Sequence, residues 1–141
     1  MTRDWRAVVS STLQRKVKRE KRGGGWFGVR IPGWQDMLEL PHELTAGRQF
    51  KVATQALEAD ALQFSDRFYR VDYTVLCRDT ERVMREIAGF CELPFSEAFQ
   101  ATLPQDLKSR NDKWKQSLAP EMIETIRSEA PEFYARYEDV S

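Results

Sequence analysis

Apolar residues recur at helical spacing near the start of the chain, where Val9, Leu13 and Val17 stand four residues apart. This period predicts a helix over about residues 4–21, with that face toward the core. The aspartate that begins it is a suitable N-cap. Three consecutive glycines at 23–25 end the helix, because glycine loses too much backbone entropy inside one.

A longer apolar stripe predicts a second helix over about residues 46–66. Its buried side chains are expected to be Phe50, Ala53, Leu57, Ala61 and Phe64. Residues 68–73 then alternate, with Tyr69, Val71 and Tyr73 on one side, which predicts a strand.

Capping residues and prolines predict the remaining helices. Asp79 or Thr80 starts a helix that Pro94 ends. Its inward side chains are expected to be Val83, Ile87, Phe90 and Cys91. Short helical pieces and the last two helices are expected to begin at Ser96, at Asn111 or Asp112, at Pro120 and at Pro131. Helices dominate this pattern, with one strand embedded among them.

Between the first two helices, residues 26–45 are predicted to form a long loop that contains Trp26, Phe27 and Trp34. Such a loop is often a lid or a binding surface. The alternative is that the three rings pin the loop to the core. Both interpretations fit the sequence equally well.

Composition narrows the class of protein. The 141 residues suffice for one domain, and 22 basic and 22 acidic side chains balance, so neither nucleic acid nor an anionic membrane is an expected partner. A basic run at 15–22 is interpreted as a solvated helix face. No membrane span, signal peptide or metal-site spacing is recognised. The two cysteines are expected to be reduced, with Cys91 buried, in a cytoplasmic protein.

Candidate chemistry lies at the start of the first helix. A helix start offers unpaired N–H groups and a positive dipole end. Arg3 adds a planar cation suited to phosphate, and Ser11 leans back toward the same end. These features predict a phosphate or sulfate site. The alternative is a surface arginine before an ordinary capped helix.

Residues 3–11, Arg-Asp-x-Arg-x-Val-x-x-Ser, resemble the 3′-phosphate-binding segment of sulfotransferases that use 3′-phosphoadenosine 5′-phosphosulfate (PAPS). In that family the first Arg and the last Ser hold the 3′-phosphate, and the resemblance assigns Arg3 and Ser11 to these roles. Trp5 stands where the family usually has proline.

Further stretches resemble the same family in the same order. Residues 71–95 are similar to its strand and following helix, and Tyr73 takes the place of a tyrosine beside the adenine. Residues 109–115 look like its late loop, in which Arg110 and Lys113 would contact the 3′-phosphate. The alternatives are a core tyrosine and two solvated cations. The last helices, and several residues of the long loop, are similar to bacterial members.

The resemblance implies an α/β fold of the three-layer, P-loop NTPase type, truncated at the N-terminus, mostly helical in this chain and forming one domain over 1–141. It implies sulfuryl transfer from PAPS to a hydroxyl or amine, leaving adenosine 3′,5′-bisphosphate (PAP). The family's phosphosulfate loop has no counterpart here, and no residue is assigned the chemistry. His42, the single histidine, is a poor candidate for the general base.

Three explanations of the missing half stay open: a truncated reading frame, a fragment completed by a second chain, or a degenerate homologue. Two other functions compete with transfer. One is a remnant that binds the nucleotide without catalysis. The other is a helical interaction module that presents Trp26, Phe27 and Trp34 to a protein partner.

Overall fold

The computed structural model describes residues 1–138, and this part of the chain is almost entirely helical. Its α-helices are α1 (Trp5–Glu20), α2 (His42–Gln63), α3 (Tyr73–Arg78), α4 (Thr80–Phe90), α5 (Glu97–Gln100), α6 (Pro120–Ser128) and α7 (Pro131–Ala135). Short 3₁₀ helices cover Trp34–Met37, Ser65–Arg67 and Asn111–Gln116. None of the helices in residues 1–138 has the length and apolar character needed to cross a bilayer.

The α/β fold of the three-layer, P-loop NTPase type is a wrong prediction, because residues 1–138 contain no sheet. Their β pairing is one parallel bridge between Thr2 and Asp72. The Thr2 N–H donates to the carbonyl oxygen of Val71 at 2.7 Å, and the Tyr73 N–H donates to that of Thr2 at 3.0 Å. The strand predicted over 68–73 therefore finds a partner at one point only, and α3 begins where a ladder would continue.

The core lies where α1, the first half of α2, α6 and α7 meet. Trp5 and Tyr134 are fully buried, and their ring centroids are 4.8 Å apart. The Trp5 N–H donates to the carbonyl oxygen of Tyr137 at 3.0 Å, which ties the start of α1 to the end of the described chain. The buried cluster comprises Trp5, Val9, Ala46, Ile126, Phe133, Tyr134 and Tyr137.

Several helix starts are confirmed at the residue level. The Asp4 carboxylate accepts the Arg6 N–H at 2.8 Å, as an N-cap does. Ser96 caps α5 through the Phe99 N–H. The two prolines expected to open the last helices are the first residues of α6 and α7.

Some predicted burial is wrong. In α2 the buried residues lie in the first two turns, so Leu57 and Phe64 extend past the core and are 51% and 45% exposed. Val17 near the end of α1 is 42% exposed for the same reason. Cys91, expected inside, follows the last turn of α4 and is exposed.

Candidate functional site

Three of the residues predicted to bind the nucleotide meet beside the start of α1. The guanidinium carbon of Arg3 lies 4.1 Å from the centroid of the Tyr73 ring. Arg3 Nε donates to Asn111 Oδ1 at 2.8 Å, and its Nη2 donates to the carbonyl oxygen of Arg110 at 3.0 Å. Together with Thr74, these residues are called the Arg3 cluster.

The backbone around Arg110 is fixed onto the first turn of α3. Its N–H donates to the Tyr73 hydroxyl at 3.2 Å, and Asn111 Nδ2 donates to Thr74 Oγ1 at 3.0 Å. The main chain of Arg110 makes these structural contacts, while its guanidinium has no hydrogen bond or ion pair within residues 1–138. The exposed cation is therefore open to a ligand.

The Asp72 carboxylate, next to the cluster in sequence, caps the start of α3. Its Oδ1 accepts the N–H groups of Thr74 at 2.8 Å and Val75 at 2.9 Å, as the N-cap of α3. This cap fixes the position of Tyr73, the first residue of the helix. The tyrosine ring is half-buried, and the Arg3 guanidinium lies over one of its faces.

The remaining two predicted residues do not join the cluster. Ser11 is exposed, and no contact with the cluster is found in the part of the chain that the structure describes. Its neighbour Ser10 is buried, with its hydroxyl 2.6 Å from that of Ser117. Lys113 is also exposed and lies one turn beyond Arg110, in the 3₁₀ helix Asn111–Gln116.

The start of α1 already has a negatively charged group, the Asp4 carboxylate. The buried Asp4 carboxylate accepts the Arg6 N–H and pairs with the Arg6 guanidinium, with Nη2 2.6 Å from Oδ2. The guanidinium carbon of Arg6 lies 4.3 Å from the centroid of a Trp114 ring. The Asp4 carboxylate is therefore the anion at the start of α1. The candidate site for a bound phosphate is instead the Arg3 cluster, beside this helix start.

His42 is remote from this site. Its Nε2 lies 2.9 Å from Glu20 Oε2, at the far end of α1. The helix has 16 residues, so its two ends are separated by about 24 Å. His42 therefore cannot serve as a general base at the Arg3 cluster.

The predicted loop that contains Trp26, Phe27 and Trp34, called the aromatic loop, is held against the helices by hydrogen bonds and ring contacts. Gln49 Nε2 donates to the carbonyl oxygens of Phe27 and Val29, both at 2.9 Å. The Trp26 and Trp34 ring centroids are 5.4 Å apart, and the rings are half-buried. These contacts support the second of the two interpretations of this loop.

Sequence reasoning misses Asn111 and Thr74 as members of the cluster. The sequence predicts that Asn111 or Asp112 caps a turn, but the Asn111 side chain joins Arg3 to Thr74 instead. Asn111 directly follows Arg110 in the stretch that resembles the late loop, and this position could have marked it as a candidate site residue. Thr74 gives no such signal, because its role depends on a contact with a residue 37 positions away.

Comparisons with protein-family models, with curated proteins and with solved structures gave no match to this chain. Function is therefore inferred from the chain's own residues and their geometry.

Proposed function

We propose that this chain binds adenosine 3′,5′-bisphosphate at the Arg3 cluster, either as PAP or as the nucleotide part of PAPS. One observation carries the proposal. Arg3, Tyr73 and Arg110 belong to three separate segments, and the resemblance to sulfotransferases assigns all three to one nucleotide. In the fold they form one contact group.

The phosphates supply the main attraction. Nη1 of Arg3 makes no hydrogen bond within residues 1–138, and Arg110, whose carbonyl oxygen accepts from Arg3 Nη2, is an exposed residue. A phosphate that accepts from both cations gains charge-assisted hydrogen bonds, each worth about 1.5–3 kcal/mol. The half-buried Tyr73 ring is the proposed stacking partner of the adenine.

Sulfuryl transfer is the reaction that such a site would serve. The acceptor oxygen or nitrogen forms a bond to sulfur while the bond between sulfur and the phosphate oxygen breaks, and PAP leaves. Transfer also requires groups that hold the phosphosulfate and remove the acceptor's proton. The described residues of the Arg3 cluster support nucleotide binding, and a second chain is the proposed source of the remaining groups.

Calorimetric titration of the whole chain with PAP tests this proposal, and adenosine is the matched ligand without phosphates. We expect saturable heat with PAP that weakens as salt rises, because Arg110 is exposed and Arg3 is only half-buried. Adenosine at the same concentrations should give little heat. A folded chain that gives no heat with PAP, or equal affinity for both ligands, contradicts the proposal.

A further inference from the structure

Lys16 differs from the other lysines of α1. Its residue is only 7% exposed, although Lys18 on the same helix is exposed. Its Nζ lies 4.5 Å from the centroid of a Trp26 ring. Within residues 1–138 the amine makes no hydrogen bond or ion pair.

The amine borders a small cavity between α1, the aromatic loop and the start of α2. The cavity has a volume of 80 Å³, and its lining includes Lys16, Glu20, Trp26, Phe27, His42 and Thr45. His42 and Glu20 form a pair there, with Nε2 2.9 Å from Oε2. An amine, a proton-transfer group and a carboxylate that orients it thus border one space.

Burial changes the acidity of the amine. Removal from water lowers the pKa of Lys16, and the charge of Glu20 opposes part of this effect. At a given pH a larger share of Lys16 is therefore neutral than of an exposed lysine. Neutral lysine in a desolvated pocket is the form that attacks carbonyl carbon.

We propose that Lys16 forms a Schiff base with a small, uncharged aldehyde that enters this cavity, with His42 as the acid–base group. The volume corresponds to two or three waters at about 30 Å³ each, which suits a ligand of a few heavy atoms. The apolar rings that border the cavity favour an uncharged alkyl aldehyde over a charged carbonyl compound. This site is separate from the nucleotide site and does not depend on it.

The reaction balances without a cofactor. The nitrogen lone pair of Lys16 attacks the carbonyl carbon, the carbonyl electron pair moves to oxygen, and a proton passes from nitrogen to that oxygen. His42 then donates a proton to the hydroxyl group, which leaves as water while the nitrogen lone pair forms the C=N bond. Glu20, bonded to His42 Nε2, holds the ring in place.

Reductive trapping tests this site. The whole chain is treated with propanal and cyanoborohydride at pH 7, and peptide mapping by mass spectrometry gives a labelling rate for each lysine. We expect Lys16 to be labelled at least tenfold faster than Lys18, with a rate that saturates with propanal. If Lys16 is labelled no faster than Lys18, the proposal is overturned.

Two variants separate the roles. Lys16→Met keeps the length of the side chain over Trp26 and should remove the fast label while Lys18 keeps its rate. His42→Gln should slow labelling of Lys16 at least fivefold without affecting Lys18. An unchanged Lys16 rate in His42→Gln overturns the acid–base role. Should Lys16→Met fail to fold, the comparison of Lys16 with Lys18 in the unmodified chain still decides the matter.

Discussion

At Gly47, side chains from α6 and α7 reach the backbone of α2. A Cβ placed there would lie 2.6 Å from Ile126 Cγ2 and 3.1 Å from the Tyr134 hydroxyl oxygen. We predict that Gly47→Ala lowers the free energy of unfolding by about 1–3 kcal/mol, because the core must move to admit a methyl group. Urea denaturation measures the change.

Gly89→Ala is the matched control for that substitution. Gly89 lies within α4, and the position that a methyl group would take there has no heavy atom within 4 Å, so alanine adds no clash. Alanine should raise stability there by about 0.5–1 kcal/mol, since it loses less backbone entropy in a helix. Equal effects at the two glycines would show that α2 and α6 do not pack as described.

Tyr137 makes stability sensitive to alkali. Burial, followed by its hydrogen bond to the Glu58 carboxylate, raises the pKa of the Tyr137 phenol to about 12. Unfolded tyrosine has a pKa near 10, so the folded state holds the proton more tightly. Its contribution to stability is complete below pH 10 and is lost as pH rises toward 12.

We therefore predict that Tyr137→Phe flattens the fall in thermal midpoint between pH 9 and pH 11. Phenylalanine cannot ionise, so this part of the pH dependence disappears while the ring still packs with Phe50 and Phe133. Thermal scans by circular dichroism across this range supply the comparison. An identical slope in both chains would contradict the assigned cause.

Some of the candidate site residues could be selected from the sequence, and others could not. Arg3, Tyr73 and Arg110 could be selected because a family resemblance names their positions. Ser11 was selected in the same way, but the phase of α1 turns it to solvent and turns Ser10 inward, so it stays a prediction. Side-chain direction depends on which face of a helix finds a neighbour, and a local motif does not contain that information.

At the scale of elements, the Asp72 cap of α3 affects both the stability of the fold and the position of Tyr73 in the Arg3 cluster. Asp72→Ala removes the acceptor for two backbone N–H groups and should cost about 0.5–2 kcal/mol. It should also weaken PAP binding several-fold, because Tyr73 opens the helix that the cap fixes. Denaturation and calorimetry on the same variant measure both effects.

Ser96→Ala provides the control for this prediction. Ser96 caps α5 through the Phe99 N–H at 3.2 Å and makes no hydrogen bond to the Arg3 cluster within residues 1–138. Its loss should cost some stability and leave PAP affinity as it was. If both variants weaken PAP binding equally, α3 does not position the ligand.

Helix boundaries were predictable where they depend on local chemistry. Asp4, Pro120 and Pro131 mark helix starts through a side-chain acceptor or a fixed backbone angle, and each lies where expected. The strand over 68–73 was not predictable, since a strand exists only with a partner and Thr2 supplies a single bridge. The α/β expectation failed for this reason.

At the scale of the whole molecule, the two proposed sites lie toward opposite ends of α1. Arg3 precedes its first residue and Lys16 stands in its last turns, about 20 Å away along the axis. We predict that saturating PAP leaves the propanal labelling rate of Lys16 within twofold of its free value. Peptide mapping with and without PAP measures this, and strong protection of Lys16 would mean that the nucleotide lies elsewhere.

The nucleotide site itself is tested most directly by titrating PAP into three chains: unmodified, Arg110→Ala and Arg22→Ala. Arg110 holds its loop through main-chain atoms, so alanine removes the cation and preserves the fold. Arg22 is an exposed arginine beyond the far end of α1. We predict a roughly 5- to 150-fold loss of affinity in Arg110→Ala, the equivalent of about 1–3 kcal/mol, and no change in Arg22→Ala. Equal affinity in all three chains would contradict nucleotide binding at the Arg3 cluster.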